Sequence, residues 1–401
     1  MDVLCVDRRS LDRAGATWVN NVPAWMFDAA DLARPAPPEL LGDPSPMHLL
    51  AGYGPERIVA DDHDCLEVDM RRLAERLRRE ARRAGARLMG DVEVKEFDGE
   101  VLSTSAGDIQ AHYYVDASGL GGAGLIDLPR PERTDICAAA QQVHEIIDRD
   151  RARRFFADQG VRYGDTLCYS GLDGGYSVVH LRAHGAGRLH ILTGSIPARG
   201  HRAGPRVLAD FIAEHRDWIG PKLYGGSSPI PLGRPADRLA SGRVAAVGDA
   251  AMQVLSAHGS GVGAGLVAAK MLADSLAAGD GVHGYAVRWQ RRYGGLFAAY
   301  DIFRRFSADL STRDVAIMMR AGLLHPHLVS LSLRQVAPVP RRPIAPRARG
   351  LLEATHLGAS LGKAVAKMAR VAVLYRRYPA DERRISAWAD KVDELVSPGG
   401  D

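Results

Sequence analysis

The sequence lacks the features that mark several large classes of protein. Its four cysteines, Cys5, Cys65, Cys137 and Cys168, show no paired spacing, so we expect neither a disulfide framework nor a zinc site, and we predict no metal ligands. No apolar run approaches the roughly 20 residues that span a bilayer. The N-terminus also lacks the basic and then apolar stretch of a secretory signal. We therefore expect a cytoplasmic protein.

Composition and charge do not favour a nucleic-acid-binding protein. The net charge is only +4, and the contents of 46% hydrophobic and 25% charged residues are ordinary for a globular protein. No recognised nucleic-acid-binding module accompanies the basic residues. The charge is uneven, however, because ten Lys or Arg and a single acid lie between Arg334 and Arg377. This basic stretch predicts either a solvated helical face with a linker, or peripheral contact with an anionic membrane or a diphosphate-bearing substrate.

The most informative segment covers residues 244–276. The apolar run at 244–247 predicts a buried strand that ends in Gly248 and Asp249. Glycines at 259, 261, 263 and 265 then open a helix, whose apolar face we predict to be Leu266, Ala269, Leu272, Ala273 and Leu276. Glycines at a helix N-terminus let a ligand approach bare backbone N–H groups, and the helix dipole favours an anion there. With an aspartate suited to sugar hydroxyls, the segment predicts a nucleotide site.

Two other segments end a predicted strand in an acid. Residues 113–122 predict a strand that ends in Asp116 and continues through small residues to Gly119. Residues 3–9 predict a strand that ends in Asp7 and continues with Arg8. In a dinucleotide-binding βαβ unit, such an acid binds the adenosine ribose about 20 residues after a G-x-G-x-x-G turn. No such turn precedes Asp7 in this sequence.

In this order the three segments resemble those of FAD-dependent oxidoreductases of the geranylgeranyl reductase and p-hydroxybenzoate hydroxylase superfamily. There the aspartate of the Gly-Asp motif holds the ribityl chain of FAD, and the following loop and helix start face the pyrophosphate and isoalloxazine. The resemblance implies FAD as cofactor, bound by Asp7, Arg8, Asp116, Gly119, Gly248, Asp249, Gly259, Gly261, Val262 and Gly263. His258 would lie near the isoalloxazine, either as a proton-transfer residue or as a loop histidine bonded to backbone.

Relative to that superfamily, the first strand, phosphate turn and first helix are missing from the sequence. We expect either that the native protein starts about 25–30 residues earlier, as the spacing of the fingerprint implies, or that the gene is truncated. A doubly wound sheet without its central strand has unpaired edges in its middle. We therefore expect the 401-residue chain to retain FAD weakly or not at all.

The resemblance implies an α/β fold with a doubly wound, Rossmann-like FAD-binding domain that is incomplete at its N-terminus. We assign this domain to residues 1–130 and 228–280, and an inserted antiparallel-sheet substrate domain to 131–227. A helical C-terminal region at 281–401 would contain a Pro/Arg linker near 338–349. Its aromatic residues at helical spacing predict core packing or the wall of an apolar tunnel: Tyr285, Trp289, Tyr293, Phe297, Tyr300 and Phe303.

Three functions remain open at this point. The first is reduction of C=C bonds in an apolar, isoprenoid-like substrate, with electrons from NAD(P)H or a reductase. The second is monooxygenation through a flavin hydroperoxide. The third is a cofactor-deficient remnant that binds lipid or a partner. The basic stretch and aromatic residues favour the first, although the aromatic-Trp-x-Phe-Pro pattern of geranylgeranyl reductases is missing.

Overall fold

Strands and helices are mixed along the chain, and the computed structural model describes them over residues 2–185, 187–338 and 354–396. The strands are β1 (Leu4–Val6), β2 (Val19–Pro23), β3 (Leu40–Gly42), β4 (Met47–Ala51), β5 (Arg57–Ala60), β6 (Cys65–Asp69), β7 (Arg87–Met89), β8 (Val94–Phe97), β9 (Val101–Thr104), β10 (Gly107–Gln110), β11 (Tyr114–Asp116), β12 (Ile136–Ile146), β13 (Thr166–Ser170), β14 (Ser177–His184), β15 (Arg188–Ser195), β16 (Ile219–Pro231), β17 (Ala240–Ser241) and β18 (Val244–Ala246). The helices are α1 (Ala24–Ala29), α2 (Met70–Arg83), α3 (Arg149–Asp158), α4 (Gly204–Glu214), α5 (Val262–Ala277), α6 (Gly281–Trp289), α7 (Gly295–Ala308), α8 (Thr312–Ala321), α9 (Pro326–Leu333), α10 (Thr355–Arg376) and α11 (Ile385–Val396). The predicted α/β class is confirmed.

The strands predicted to hold the cofactor lie in two separate sheets. β1 pairs in parallel with β7, whereas β11 pairs in parallel with β18, to which β17 adds an antiparallel strand. Each of β1 and β11 therefore keeps one edge that no strand of the described residues pairs. Val3 beside β1 is 47% exposed and Val115 in β11 is 46% exposed. Unpaired edges with exposed apolar side chains are suited to accept a further strand.

A large, mostly antiparallel sheet forms the second layer. Its order is β16-β12-β15-β14-β13-β4-β5, with β13 and β4 as the parallel pair. Alternation in β14 buries Val179, Leu181 and Ala183 on one face, where the sheet packs against α3 and α4. The antiparallel sheet predicted for residues 131–227 is present, and it also includes β4 and β5 from the segment 1–130. The domain boundaries themselves stay predictions.

The sequence-based assignment of local structure was wrong at several places. Residues 19–27 form β2 and the start of α1, and neither these elements nor β12 and α3 were predicted from the sequence. In α5, Ala269 and Ala273 of the predicted apolar face are exposed. Buried residues on α5 include Ala264, Val267, Ala268 and Leu272. The face is rotated because α1 and α6 both pack on this helix.

Aromatic residues of the C-terminal helices pack into the core that also contains β18 and α5. Tyr285, Trp289, Phe297 and Tyr300 are at most 3% exposed, which confirms core packing for these four aromatic residues. Most of the predicted Pro/Arg linker at 338–349 lies outside the described residues. Among the described helices, none is long and apolar enough to cross a bilayer.

A buried polar cluster joins the large sheet to the small sheet β2-β6-β3. Glu67 of β6 lies 2.6 Å from His190 Nδ1 and 3.1 Å from His184 Nε2, and Arg182 Nη1 lies 2.9 Å from its other oxygen. Burial raises the pKa of Glu67, but hydrogen bonds from the two imidazoles bring it below its usual range. Burial lowers the pKa of the nearby His180 from 6.5 to about 4. Burial also lowers the pKa of His190, so the cluster favours an ionised Glu67 carboxylate.

This cluster predicts a loss of stability in acid. The pKa of His180 is lower in the folded than in the unfolded state, so below pH 6.5 the unfolded chain takes up a proton that the folded chain does not. The free energy of unfolding therefore falls as the pH decreases below 6.5. The lowered pKa of Glu67 adds a further loss of stability below pH 4.5, which is its ordinary pKa. We expect the urea midpoint to fall steadily from pH 7 to about pH 4. His180→Gln should flatten this profile, whereas His112→Gln, at an exposed position, should leave it unchanged. An equal slope in both variants would contradict the assignment.

Candidate functional site

The Gly-Asp segment forms a sharp turn at the end of a buried strand. All three residues of β18 are buried, and the Val247 N–H donates to the Asp116 carbonyl at 3.0 Å, which joins the two predicted motifs. Gly248 has φ +71°, so glycine suits the position, and a 3-10 turn covers Gly248–Ala251. A Cβ at Gly248 would meet no atom within 4 Å, so the backbone is open to a ligand.

Gln253, which no sequence pattern indicated, and Tyr285, predicted above only as a core or tunnel residue, hold this turn in place. The Gly248 N–H donates to Gln253 Oε1 at 2.8 Å, and Gln253 Nε2 donates to the Tyr285 hydroxyl at 2.8 Å. Tyr285 in turn donates to the Ala246 carbonyl at 3.0 Å. No local signal marks Gln253, because its partner Tyr285 comes from a helix that lies 32 positions further along the chain.

Asp249 in this turn is partly buried. Burial raises the pKa of its carboxyl, and among the described residues no donor is within hydrogen-bond distance of its oxygens. Its Oδ1 lies 3.2 Å from where a Cβ at Gly261 would be. A buried carboxylate without donors is unfavourable unless a ligand supplies them. Hydroxyl groups of a polyol are donors of the required kind.

The glycine loop, residues 257–263, follows at the start of α5. Gly261 is the N-cap of α5 and no side chain caps the helix, so its first N–H groups are available to an anion. A Cβ at Gly259 would lie 3.4 Å from the Tyr176 hydroxyl and 3.5 Å from Ile230. Gly263 instead packs against Met26, whose sulfur would lie 2.2 Å from a Cβ at that position. Val262 packs partly buried beside it.

Asp116 and Gly119 lie beside this turn. Asp116 Oδ1 accepts a hydrogen bond from the Ser118 N–H at 3.0 Å, so its carboxylate already orders its own loop. Gly119 has φ +81° and a Cβ there would meet nothing within 4 Å. Gly119 therefore leaves an open backbone surface in the loop that follows β11.

Asp7 and Arg8 lie at the end of β1, in a different sheet from β18. Asp7 Oδ1 accepts from the Arg9 N–H at 2.8 Å. No strand of the described residues joins β1 to β11 or β18. An open, basic groove lies near this end of β1 and is lined by Leu11, Asp12, Glu75, Arg78, Arg79, Arg82 and Arg83. The structure thus brings together the Gly-Asp, glycine-loop and Asp116 residues, whereas Asp7 and Arg8 remain in a separate sheet.

Both ring nitrogens of His258 make hydrogen bonds within the protein. Its Nε2 lies 3.0 Å from the Ser332 carbonyl, which only accepts, so Nε2 carries the proton and Nδ1 accepts from the Ser260 hydroxyl at 2.9 Å. Burial lowers its pKa, which keeps the ring neutral near pH 7. His258 therefore joins the glycine loop to the end of α9. Its catalytic role stays a prediction.

Known proteins resemble this chain in fold over most of its length and in sequence over less than half of it. No family model matches the chain. The chain is 26% identical over 197 residues to a digeranylgeranylglycerophospholipid reductase of Sulfolobus acidocaldarius, a match over 44% of this chain and 41% of the reductase. The match thus spans less than half of that relative.

Solved structures show the same fold over most of the chain. A geranylgeranyl bacteriochlorophyll reductase-like protein from Thermoplasma acidophilum has a TM-score of 0.66 at 15% identity, over 92% of this chain and 93% of its own. PqsL of Pseudomonas aeruginosa, a probable FAD-dependent monooxygenase, has a TM-score of 0.51 at 15% identity, over 79% of this chain and 89% of its own.

The α/β fold of this chain is therefore one that a reductase-like protein and a probable monooxygenase also have. The resemblance to the geranylgeranyl reductase and p-hydroxybenzoate hydroxylase superfamily, predicted from the Gly-Asp segment, is thereby confirmed.

Proposed function

We propose that this protein is an FAD-dependent oxidoreductase that reduces C=C bonds of an apolar, isoprenoid-like substrate. The observation that carries the proposal is the partly buried carboxylate of Asp249, which accepts no hydrogen bond from the described residues and lies beside the uncapped start of α5. A ligand with several hydroxyls and a phosphate meets both needs. The ribityl chain and pyrophosphate of FAD are such a ligand, so the residues present fit this cofactor.

The chain's own residues would bind and orient the cofactor. When bound, FAD supplies the two-electron chemistry, which amino-acid side chains lack. Asp249 would accept hydrogen bonds from the ribityl hydroxyls, and the first N–H groups of α5 would face a phosphate. Gly119 and Gly248 would allow close approach of the backbone, because neither position carries a Cβ.

The surroundings of the glycine loop support an apolar substrate. Met26, Tyr176 and Ile230 lie within contact distance of its glycines. Trp25 stacks against Tyr293, with ring centroids 6.4 Å apart, in the cluster that also contains Val262. Since His258 is neutral and bonded at both nitrogens, no cation at this position would hold an anionic group of a substrate. The sequence match to a digeranylgeranylglycerophospholipid reductase points in the same direction.

Oxygen dependence distinguishes reduction from monooxygenation, which the fold likeness to PqsL keeps as the second candidate. We expect the FAD-loaded protein, supplied with reduced flavin and geranylgeraniol, to form a product with fewer C=C bonds equally well under strict anaerobiosis. Mass spectrometry of the product measures the gain of two hydrogens per bond reduced. Loss of product without oxygen, or a product that gains an oxygen atom, would contradict the reductase proposal.

We further propose that the basic C-terminal part contacts an anionic membrane. The sequence of α10 contains no acidic residue, and it exposes Val365 by 55% and Val373 by 46% on a surface with Arg370 and Arg376. Apolar side chains beside basic ones suit a lipid interface. Of the stretch 334–377, residues 339–353 lie outside the described part of the chain.

This membrane contact predicts charge-dependent binding to vesicles. Reversal of both charges, in Arg370→Glu with Arg376→Glu, should weaken sedimentation with phosphatidylglycerol vesicles at least about tenfold, because each basic residue near such a surface contributes about 1 kcal/mol. Arg206→Glu with Arg216→Glu makes the same change of net charge on and beside α4. Equal binding by both double variants would show that net charge, rather than α10, determines the contact.

A further inference from the structure

The end of α9 is held against the glycine loop by side chains from four other parts of the fold. We call residues 332–336 the α9 cap. Four donors each bind one of its backbone carbonyls: His258 binds that of Ser332 at 3.0 Å, Cys65 that of Leu333 at 3.2 Å, Trp25 that of Arg334 at 2.8 Å and Tyr300 that of Val336 at 3.0 Å. Through His258, the α9 cap is therefore fixed directly against the glycine loop.

Gln335 has an unusual backbone conformation within the α9 cap. Its N–H donates to the Ser332 carbonyl at 2.8 Å, and the Val336 N–H donates to the Leu331 carbonyl at 3.1 Å. This pair of bonds ends α9 with a left-handed residue, and Gln335 has φ +53°. Glycine or asparagine is the usual residue at such a position, because a larger side chain is strained there.

The side chain of Gln335 is unfavourable in a second way. The residue is only 2% exposed, and its Oε1 has no hydrogen-bond partner among the described residues. A buried carbonyl oxygen without a donor destabilises the folded state. Strained backbone residues cluster at active sites and ligand clamps, so Gln335 is a candidate for a ligand contact.

We propose that the α9 cap belongs to the ligand site, and that the carboxamide oxygen of Gln335 accepts a hydrogen bond from an N–H or O–H group of the bound ligand. The inference rests on the proposed function, because the ligand lies beside the glycine loop. Two sources offer this chemistry: a ring N–H of the flavin, or the hydroxyl of an isoprenoid alcohol. The geometry assigns the acceptor, and the two arms of the experiment identify the donor.

The test compares Gln335→Met with Gln290→Met. Gln290 is a matched control, since it is also fully buried with an unpaired Oε1, but its Nε2 donates to the Ala236 carbonyl at 2.8 Å. Without ligand, Gln335→Met should keep or raise the Tm, because it removes an unpaired buried oxygen. Gln290→Met should lower the Tm, because it breaks a hydrogen bond.

Ligand binding is measured in two arms. In the first, FAD is titrated into the apo protein and followed by flavin fluorescence; if the flavin is the donor, Gln335→Met raises Kd about tenfold, as one lost hydrogen bond predicts. In the second, geranylgeraniol and its methyl ether are titrated and followed by tryptophan fluorescence. If the alcohol is the donor, wild type prefers it to the ether about tenfold and Gln335→Met shows no preference.

Either arm supports the proposal when Gln290→Met binds as wild type does. An unchanged FAD Kd together with an unchanged preference for the alcohol overturns it, whatever the Tm. Because we expect this chain to retain FAD only weakly, the titration is continued to a large excess of FAD; failure of wild type to bind FAD even then would overturn the proposed function alone, since the alcohol arm needs no FAD. Failure to bind both ligands would overturn both.

Discussion

Asp249→Asn should weaken FAD binding about 10- to 100-fold. A hydrogen bond to a charged group contributes roughly 1.5–3 kcal/mol, which corresponds to this range of Kd. The same change should keep or raise the Tm of the protein without FAD. Burial raises the pKa of Asp249, so its ionised form destabilises the fold as the pH rises through the ordinary value of 3.8, and the neutral amide removes this penalty.

The control is Asp108→Asn, on the exposed meander strand β10. Asp108 Oδ1 accepts a hydrogen bond from the Ser103 hydroxyl at 2.8 Å, so its loss should have little effect on FAD binding. Affinity is measured by titration of the apo protein with FAD, and stability by thermal unfolding. Opposite effects of Asp249→Asn on affinity and stability are typical of a binding residue. Equal FAD affinity in Asp249→Asn and wild type would contradict the assignment of the ribityl site.

Arg304→Met should lower the free energy of unfolding by about 3–5 kcal/mol, the usual effect of removing one partner from a buried ion pair. Arg304 and Asp301 are both 0% exposed, and Arg304 Nη2 lies 2.6 Å from Asp301 Oδ1 and 2.7 Å from Asp135 Oδ1. Asp135 ends the turn that leads into β12. The substitution leaves the two carboxylates with Arg305, which lies 2.9 Å from Asp135 Oδ2 and 3.0 Å from Asp301 Oδ2, so the attachment of α7 to the large sheet is weakened.

Two further variants keep this prediction informative. Arg304→Lys retains the charge without the planar group that contacts both carboxylates, so it should lose part of the stability and fold even if Arg304→Met does not. Arg72→Met removes an exposed pair with Glu75 at 3.3 Å and should change stability by less than about 1 kcal/mol. Urea unfolding measures all three. A loss below about 1 kcal/mol in Arg304→Met would show that the buried pair contributes little.

The strand-turn-helix around Gly248 could be predicted because it is local. Apolar residues of β18, the glycine with positive φ and the glycine at the start of α5 follow one another along the chain. The long strands β12 and β16 were harder to recognise, because β12 is a run of mainly small residues and β16 contains glycine and proline. Both are stabilised by pairing with each other rather than by strand propensity.

Residues that meet from distant parts of the chain had no signal in the sequence. Gln141 pairs with both backbone groups of Val19, 122 positions away, and Glu67 meets histidines 117 and 123 positions further on. Gln335 is an ordinary residue in the sequence. Only the left-handed backbone and the buried, unpaired oxygen make it a candidate ligand contact.

By itself, then, the sequence determined the α/β class, the superfamily resemblance and the place of the Gly-Asp turn, because each depends on residue types at short spacing. Only the tertiary structure decided that β1 and β11 lie in separate sheets, that both nitrogens of His258 are bonded and that side chains from four parts of the fold bind the carbonyls of the α9 cap. Those features depend on groups that lie far apart in the sequence. Only packing of the core brings them within about 3 Å of one another, the distance at which hydrogen bonds form.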